Sequence, residues 1–210
     1  MRKLLLIGGG GHCRSVINSV LSEASYDTVG VVDFENTCIA EVPVVGTDND
    51  LPQLLSKGWT NAFITVGSVG NTITRRRLYN LVKQLGFIVP TIIDQSAIVA
   101  SNAVIEEGCY IGKRAVVNTG SFLGRCSIIN SGAIIEHECR IGDFSHISPG
   151  AVLCGQVTVG NDSHIGAGSI IRQQIMIGDH VLVGIGSTVV KNIPNDVKAY
   201  GNPCRVVEVR

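Results

Sequence analysis

An aliphatic residue recurs at every sixth position through the second half of the chain. All 17 positions of this series are aliphatic: Ile93, Val99, Ile105, Ile111, Val117, Leu123, Ile129, Ile135, Ile141, Ile147, Leu153, Val159, Ile165, Ile171, Ile177, Val183 and Val189. At ordinary apolar frequencies, the chance of such a run is well below about one in a million. The residue two positions earlier is Ala, Ser or Cys in 13 of the 16 cases from Ala97 to Ser187. This six-residue repeat constrains the second half of the chain to a solenoid-like fold.

A period of six matches neither the 3.6 residues of a helical turn nor the alternation of a simple strand. It predicts a triangular prism in which each side is one short strand plus one corner, so that three hexapeptides make one coil. Gly124, Gly142, Gly160 and Gly178 recur at every third hexapeptide and should stack at one corner. Gly or Asn often follows the aliphatic residue, and because both tolerate positive φ, the corners are expected at these positions.

The first ninety residues follow a different pattern, in which strand-like and helix-like segments alternate. Predicted strands cover Lys3–Gly8, Thr28–Asp33 and Ala62–Gly67, and predicted helices cover Cys13–Ser22, Leu51–Leu55 and Thr74–Leu85. This β-α-β-α-β order predicts a parallel sheet with right-handed crossovers, which is a small Rossmann-like domain. We therefore expect an α/β domain over residues 1–92 and an all-β domain over residues 93–210.

Charge and composition exclude several classes of protein. The 17 acidic and 17 basic residues cancel, so the chain carries no electrostatic signature of a nucleic-acid or anionic-membrane partner. No run of about 18 apolar residues is present, which argues against a transmembrane helix. The seven cysteines form no C-x-x-C pair and fit neither a disulfide framework nor a zinc cluster. We expect a reduced, cytoplasmic protein.

Three segments together resemble a known family. They are the hexapeptide run itself, GGGGH at the start of the chain (Gly8–His12), and NSGAIIEHECRIGDFSHISPGAVLCG at Asn130–Gly155. They are similar to the hexapeptide-repeat sugar O-/N-acyltransferases of the sialic acid O-acetyltransferase and UDP-bacillosamine N-acetyltransferase type. The resemblance extends over nearly the whole chain to the terminal GNPCRVV, where Cys204 replaces the family's usual alanine.

The resemblance implies a fold and an activity. The fold is a left-handed parallel β-helix behind the Rossmann-like domain. The activity is transfer of an acetyl group from acetyl-CoA, without a metal, to the C4 amino group of a nucleotide-linked amino sugar for surface glycan biosynthesis. A sialic-acid-like O-acetyltransferase, and a non-catalytic or metal-binding prism, are the alternatives.

His137 is the candidate catalytic residue. It lies between Glu136 and Glu138, two residues after the inward-facing Ile135, and should therefore face outward. A carboxylate next to an imidazole orients the ring and favours its protonated form, which suits a general base. The alternative interpretation is a solvated surface histidine. The resemblance implies that His137 deprotonates the sugar amine and that Glu138 tunes it.

A second group of residues is a candidate substrate site. The GGGGH segment follows a strand and precedes a helix, where backbone N–H groups can bind phosphate. It does not fit a dinucleotide fingerprint, because the third glycine would fall on Cys13. Asp33 ends the second strand and can accept a hydrogen bond from a ribose or sugar hydroxyl, although a solvated loop residue is the alternative. The resemblance assigns nucleotide-sugar binding to Gly10, Gly11, His12, Asp33, Gly67 and Asn130.

A third group is assigned to the coenzyme. His146 and His164 are three hexapeptides apart, one full coil, and should lie one above the other. A zinc site would need a third ligand at short spacing, which the sequence lacks. The resemblance implies that His146 contacts acetyl-CoA near its thioester and that Gly155, Ala167 and Ile185 line the coenzyme. The adenine end would then lie toward Gly201–Pro203.

The spacing of the two histidines predicts an oligomer. His137 and His146 are half a coil apart, so that one prism holds them on different sides. One site could use both only if a second prism placed its His146 side against the His137 side of the first. Such a contact is heterologous, and a closed ring of three suits triangular prisms. We expect a homotrimer with its sites at the seams.

Two other features have simpler explanations. Cys109 and Cys139 fall on small inward positions, so packing accounts for them and a Cys139 nucleophile is not expected. Arg75, Arg76 and Arg77 lie on a predicted helix, where a short basic run usually forms a solvated face.

Overall fold

The computed structural model describes residues 1–34 and 37–209. Its amino-terminal part holds strands β1 (Lys3–Ile7), β2 (Thr28–Val32), β3 (Cys38–Ile39), β4 (Val42–Gly46) and β5 (Asn61–Ile64), and helices α1 (Gly11–Glu23), α2 (Leu51–Ser56) and α3 (Ile73–Leu85). The sheet order is β3-β4-β2-β1-β5, and β1 pairs in parallel with both β2 and β5. The predicted Rossmann-like β-α-β-α-β order is confirmed. The sequence patterns missed the β3–β4 hairpin, which adds an antiparallel pair at the sheet edge.

Burial explains why these segments form a central sheet. Leu4, Leu5, Leu6 and Ile7 of β1 are all at most 1% exposed, because α1 covers one face of the strand while α2 and α3 cover the other. A strand buried on both faces is a continuous apolar run rather than an alternating pattern. No helix in the described ranges is long and apolar enough to cross a membrane.

From Ile92 onward, the chain forms strands β6 to β22, each two residues long and starting six residues after the last. They make the three parallel sheets of a prism. The first side contains Ile92–Ile93, Tyr110–Ile111, Ile128–Ile129, His146–Ile147, His164–Ile165 and Leu182–Val183. The second contains Ile98–Val99, Val116–Val117, Ile134–Ile135, Val152–Leu153, Ile170–Ile171 and Thr188–Val189. The third contains Val104–Ile105, Phe122–Leu123, Arg140–Ile141, Thr158–Val159 and Met176–Ile177.

The turns that follow these sides are named the first, second and third corners. The chain ends in an antiparallel hairpin, β23 (Val197–Gly201) and β24 (Cys204–Val209), which extends the first side. The predicted aliphatic series forms the core of the prism, since each member is the second residue of its strand. From Ile111 to Val189, these side chains are at most 2% exposed.

The corners lie between the strands as predicted, but the reason for their glycines differs. Positive φ occurs at every sixth residue from Gly108 to Gly186, which is the third position after the inward residue, and several of these residues are not glycine. The glycine directly after the inward residue is needed for space instead. A Cβ on Gly142 would lie 2.6 Å from the backbone of Asn161 and Gly160 in the next coil. The predicted stack of glycines at the third corner is therefore confirmed, with close coil packing as its cause.

The amino-terminal domain packs against the first side of the prism. Val16 and Ile17 of α1 share one apolar cluster with Ile92, Tyr110 and Ile128. This packing turns the carboxyl ends of β1 and β5 toward the first side. Since ligands of open α/β sheets bind outside the carboxyl ends of the strands, the two domains enclose the candidate substrate crevice between them.

An unexpected cation reinforces the domain contact. Arg75 of α3 is 2% exposed and donates hydrogen bonds to the backbone carbonyls of Cys126 and Phe144, two stacked third-corner residues. Arg76 and Arg77 form ion pairs with Asp162 and Asp48. The solvated-face interpretation of this basic run is therefore wrong for Arg75. Its place on the buried stripe of α3 with Leu78 and Val82 was a signal for this in the sequence.

Candidate active site

The second corner presents His137 and Glu138 together. Both side chains are half exposed, at 51% and 58%, and His137 Nδ1 lies 3.2 Å from Glu138 Oε2. Because a carboxylate only accepts, Nδ1 carries the proton of this hydrogen bond and the lone pair of Nε2 is available. The hydrogen bond from His137, followed by one from Gln156, lowers the pKa of Glu138. The pair has the geometry of a base held in one tautomer by an adjacent acid.

The coils above His137 hold both members of this pair. The Nε2 of Gln156, one coil on, donates to Glu138 Oε2 at 3.0 Å, and the Oε1 of Gln156 accepts from Gln174 at 2.9 Å. Gly155 lies directly beside the imidazole. A Cβ on Gly155 would be 2.5 Å from Cε1 of His137 and closer still to Nε2, so only glycine leaves room for the ring. Gly155, predicted as a coenzyme contact, thus also shapes the position of His137.

The first side presents His146, and Asn130 lies next to it at the start of the first corner. The Nδ1 of His146 lies 3.1 Å from the backbone carbonyl of Ser68, and because a carbonyl accepts, Nδ1 carries the proton. Nε2 then accepts from the amide of Asn130 at 3.1 Å. Burial, together with the neighbouring His164, lowers the pKa of His146 to about 3. His146 is therefore a neutral imidazole whose two nitrogens join the prism to the loop after β5.

His146 and His164 lie one above the other as predicted, in an edge-to-face contact with ring centroids 4.8 Å apart. Among the residues that the structure describes, no group of three His, Cys, Asp or Glu could hold a metal ion. Cys109 and Cys139 are fully buried as expected, and burial raises the pKa of each thiol to about 11.

The end of β1 forms the predicted substrate group. Gly10 and Gly11 begin α1, and a Cβ at either position would meet open space. The backbone N–H of Gly9 donates to Asp33 at 2.6 Å, which fixes this carboxylate at the end of β2. The ring of His12 packs edge-on against Tyr110, and burial followed by the charge of Arg75 lowers its pKa to about 4.

The predicted site residues form three groups. Gly10, Gly11, His12, Asp33 and Gly67 lie at the carboxyl ends of the parallel strands, and Gly67 adjoins His12 and precedes Ser68, the partner of His146. His146 therefore lies with Asn130 and this substrate group. His137, Glu138 and Gly155 occupy the second corner, while Ala167 and Ile185 stack at the first corner. The second side separates these two corners within one chain.

The spatial organisation involves residues that the sequence patterns did not single out. Ser68 uses a backbone atom, so no side-chain motif marks its role. Gln156 acts through its position one coil after Glu138, a relation that the three-repeat coil could have revealed. Tyr110 anchors His12 and also hydrogen-bonds Ser19 of α1 at 3.1 Å.

Comparisons with known proteins agree with this architecture. The model of the PglD N-terminal domain matches residues 3–82, and that of the bacterial transferase hexapeptide (six repeats) matches residues 138–173. A variant of perosamine N-acetyltransferase from Caulobacter crescentus, solved with CoA and GDP-perosamine, is 32% identical with a TM-score of 0.94. That alignment covers 99% of this chain and 98% of the other. The acetyltransferase domain of PglB from Neisseria gonorrhoeae, with acetyl coenzyme A, is 34% identical over 98% of this chain and 99% of the other, with a TM-score of 0.93.

A more distant structure, WeeI from Acinetobacter baumannii, shares the fold at 18% identity and a TM-score of 0.68. A search of the curated proteins finds no match. The repeat and the fold define a hexapeptide-repeat acyltransferase with a left-handed β-helix, as predicted. More particularly, the chain belongs to the family of sugar acetyltransferases that carry a PglD-type amino-terminal domain.

Three histidines near the contact between the two domains predict how stability depends on pH. His12 and His146 have pKa values of about 4 and about 3 in the folded chain, below the ordinary 6.5, and burial lowers the pKa of His164 as well. The unfolded chain binds protons that the folded chain does not, so the free energy of unfolding falls as the pH drops below about 6.5. The loss is at most about 1.4 kcal/mol per pH unit for each histidine. Urea unfolding between about pH 7 and about pH 5 measures it, a window above the titration of most carboxylates.

Two variants test whether these histidines cause the pH dependence of the free energy of unfolding. His146→Gln should reduce the slope, because one of the three histidines no longer titrates. His12→Gln should also reduce the slope, because burial and the charge of Arg75 lower the pKa of His12. A His146→Gln protein with the full slope would contradict the assignment.

Proposed function

We propose that this protein is an N-acetyltransferase that moves the acetyl group of acetyl-CoA to the C4 amine of a nucleotide-linked amino sugar. The observation that carries the proposal is the His137–Glu138 pair, whose Nε2 is held beside Gly155 on an open corner. The relatives support the two substrates, since one binds CoA and GDP-perosamine and another binds acetyl coenzyme A. The choice of C4 rests on the family resemblance.

The reaction needs a neutral amine and a group that takes up its proton. The amine nitrogen attacks the thioester carbon while Nε2 of His137 removes a proton from nitrogen. Glu138 accepts from Nδ1 and stabilises the imidazolium that forms. As the tetrahedral intermediate collapses, the carbon–sulfur bond breaks, and His137 returns the proton to the departing thiolate. Fixed backbone N–H groups of the coils are suitable donors to the transient oxyanion.

The amino-terminal domain binds the nucleotide sugar in this proposal. β1 and β5 are neighbours in the sheet, and the loops that follow them run in different directions. Open α/β sheets bind ligands in the crevice between such loops. Gly10 and Gly11 present the free N–H groups of the α1 amino terminus to phosphate. Asp33 and His12 flank this position, and Gly67 borders it from β5. The neutral His146 and its partner Asn130 then lie where the sugar end of the substrate meets the thioester, so that His146 keeps its predicted contact with acetyl-CoA.

A homotrimer places the catalytic pair against these groups. The second side exposes an aliphatic column, in which Ile98 is 67% and Ile170 is 50% exposed, and Ile185 beside it is 80% exposed. Covering such a column is favourable, and a ring of three prisms covers it in every copy. The interface between two copies then brings His137 and Gly155 of one copy to the first corner of its neighbour. That corner contains Asn130, Ala167 and Ile185. We place the enzyme in the cytoplasm, where its seven free cysteines stay reduced.

Replacing His137 tests the catalytic role. His137→Ala should lower kcat by about 10²–10⁴ with little change in the unfolding midpoint, because the side chain is half exposed. The assay is thiol release from acetyl-CoA with a panel of nucleotide-linked amino sugars. His180→Ala is the matched control, since that imidazole is similarly exposed at another corner. Wild-type turnover by His137→Ala would remove this residue from the mechanism.

Replacing Gly155 tests the positioning of the ring. The Cβ of Gly155→Ala must displace the imidazole, so kcat should fall by about tenfold or more while KM values change less. In the His137→Ala background, the space is free and the same change should cost almost nothing further. Independent losses that multiply in the double variant would show that Gly155 acts in some other way.

A further inference from the structure

The second corner continues past His137 toward the carboxyl-terminal end of the prism. Gly155, Gln173 and Lys191 follow His137 at intervals of one coil, and Arg172 precedes Gln173. Backbone hydrogen bonds tie successive levels together, from Gln156 to His137 at 2.9 Å and from Gln174 to Gly155 at 3.0 Å. With coils ~4.8 Å apart, Arg172 lies roughly 10 Å and Lys191 roughly 14 Å along the prism from the level of His137.

A cavity of about 620 Å³ opens on this part of the corner. It is lined by Cys154, Arg172, Gln173, Gln174, Ile175, Val190, Lys191 and Asn192. A smaller cavity of about 180 Å³ shares Lys191 and Asn192 with it and adds Cys204 and Arg205. No carboxylate lines either cavity, and within residues 1–34 and 37–209 neither Arg172 nor Lys191 forms an ion pair. The charge here is therefore suited to an anion from outside the chain.

The rise along the prism from His137 to the two cations indicates which anion binds there. In an acetyl-CoA whose thioester lies at His137, about thirteen bonds separate the sulfur from the first phosphorus, an extended reach of about 15 Å. That length is comparable to the rise of roughly 10–14 Å along the prism from the coil of His137 to the coils of the two cations. Arg and Lys side chains bind phosphate through charge-assisted hydrogen bonds. We propose that Arg172 and Lys191 bind the diphosphate of acetyl-CoA and thereby select a phosphorylated acyl donor.

This assignment rests on the proposed function, because it takes the thioester to lie at His137. It separates two tasks along one corner. His137 acts on the thioester, which any acyl-pantetheine shares, whereas Arg172 and Lys191 recognise a group that only the nucleotide part of the coenzyme carries. The adjoining cavity at Cys204 and Arg205 then receives the remainder of the coenzyme, near the Gly201–Pro203 segment.

Steady-state kinetics with two acyl donors test the proposal. Arg172→Ala and Lys191→Ala should each lower kcat/KM for acetyl-CoA by roughly tenfold or more through KM, with kcat retained. With S-acetylpantetheine, which has no phosphate, both variants should match the wild type within about twofold, because the lost contact was never made. Acetyl-dephospho-CoA keeps the diphosphate and should show the same loss as acetyl-CoA. Arg172→Lys should restore part of the affinity.

The controls distinguish the possible failures. Lys57→Ala, at an exposed lysine of the amino-terminal domain, should leave all three donors unaffected. Equal losses with S-acetylpantetheine, or no loss with acetyl-CoA, would overturn the diphosphate assignment. A loss confined to acetyl-CoA and absent with acetyl-dephospho-CoA would also overturn it, in favour of the 3′-phosphate. His137→Ala tests the proposed function separately, since its defect should appear in kcat with every donor.

Discussion

Burial of one aliphatic side chain at every sixth position is the constraint on which this structure depends. It closes each coil after three hexapeptides, so that residues at the same place in successive coils must stack. The candidate site is built from such stacks. Gly155 makes room for His137, Gln156 binds Glu138, and His164 lies against His146. The same packing that stabilises the prism therefore also orients His137 and Glu138, the candidate catalytic pair.

The second constraint is the packed contact between the two domains. Arg75 is buried there, His12 and His146 are partly buried, and this burial keeps the two histidines neutral at ordinary pH. A neutral His146 can accept a hydrogen bond from Asn130 while donating one to Ser68, which a protonated ring could not do. Desolvation thus sets the hydrogen-bonding role of this histidine, whereas His137 is half exposed on its corner.

The sequence predicted the features that follow from a repeat. The inward series, the stacked corner glycines and the pairing of His146 with His164 all depend only on the period of six and the three-sided coil. Features that depend on contacts between the domains were not predictable in this way. The hydrogen bond of His146 to Ser68 requires the loop after β5 to reach the first side, and the burial of Arg75 requires α3 to meet the third corner. Whether the assigned residues bind their substrates stays a prediction.

In the proposed trimer, each active site combines His137 of one copy with the Asn130 corner of the next. Co-expression of His137→Ala and Asn130→Ala chains with different tags, followed by isolation of mixed oligomers and an acetyl-transfer assay, tests this arrangement. Each variant alone should be impaired, and the isolated mixed trimers should have about one third of the wild-type sites, because one of the three interfaces in every mixed trimer joins an intact His137 to an intact Asn130. Activity of the mixture no higher than the average of the two variants would contradict the account.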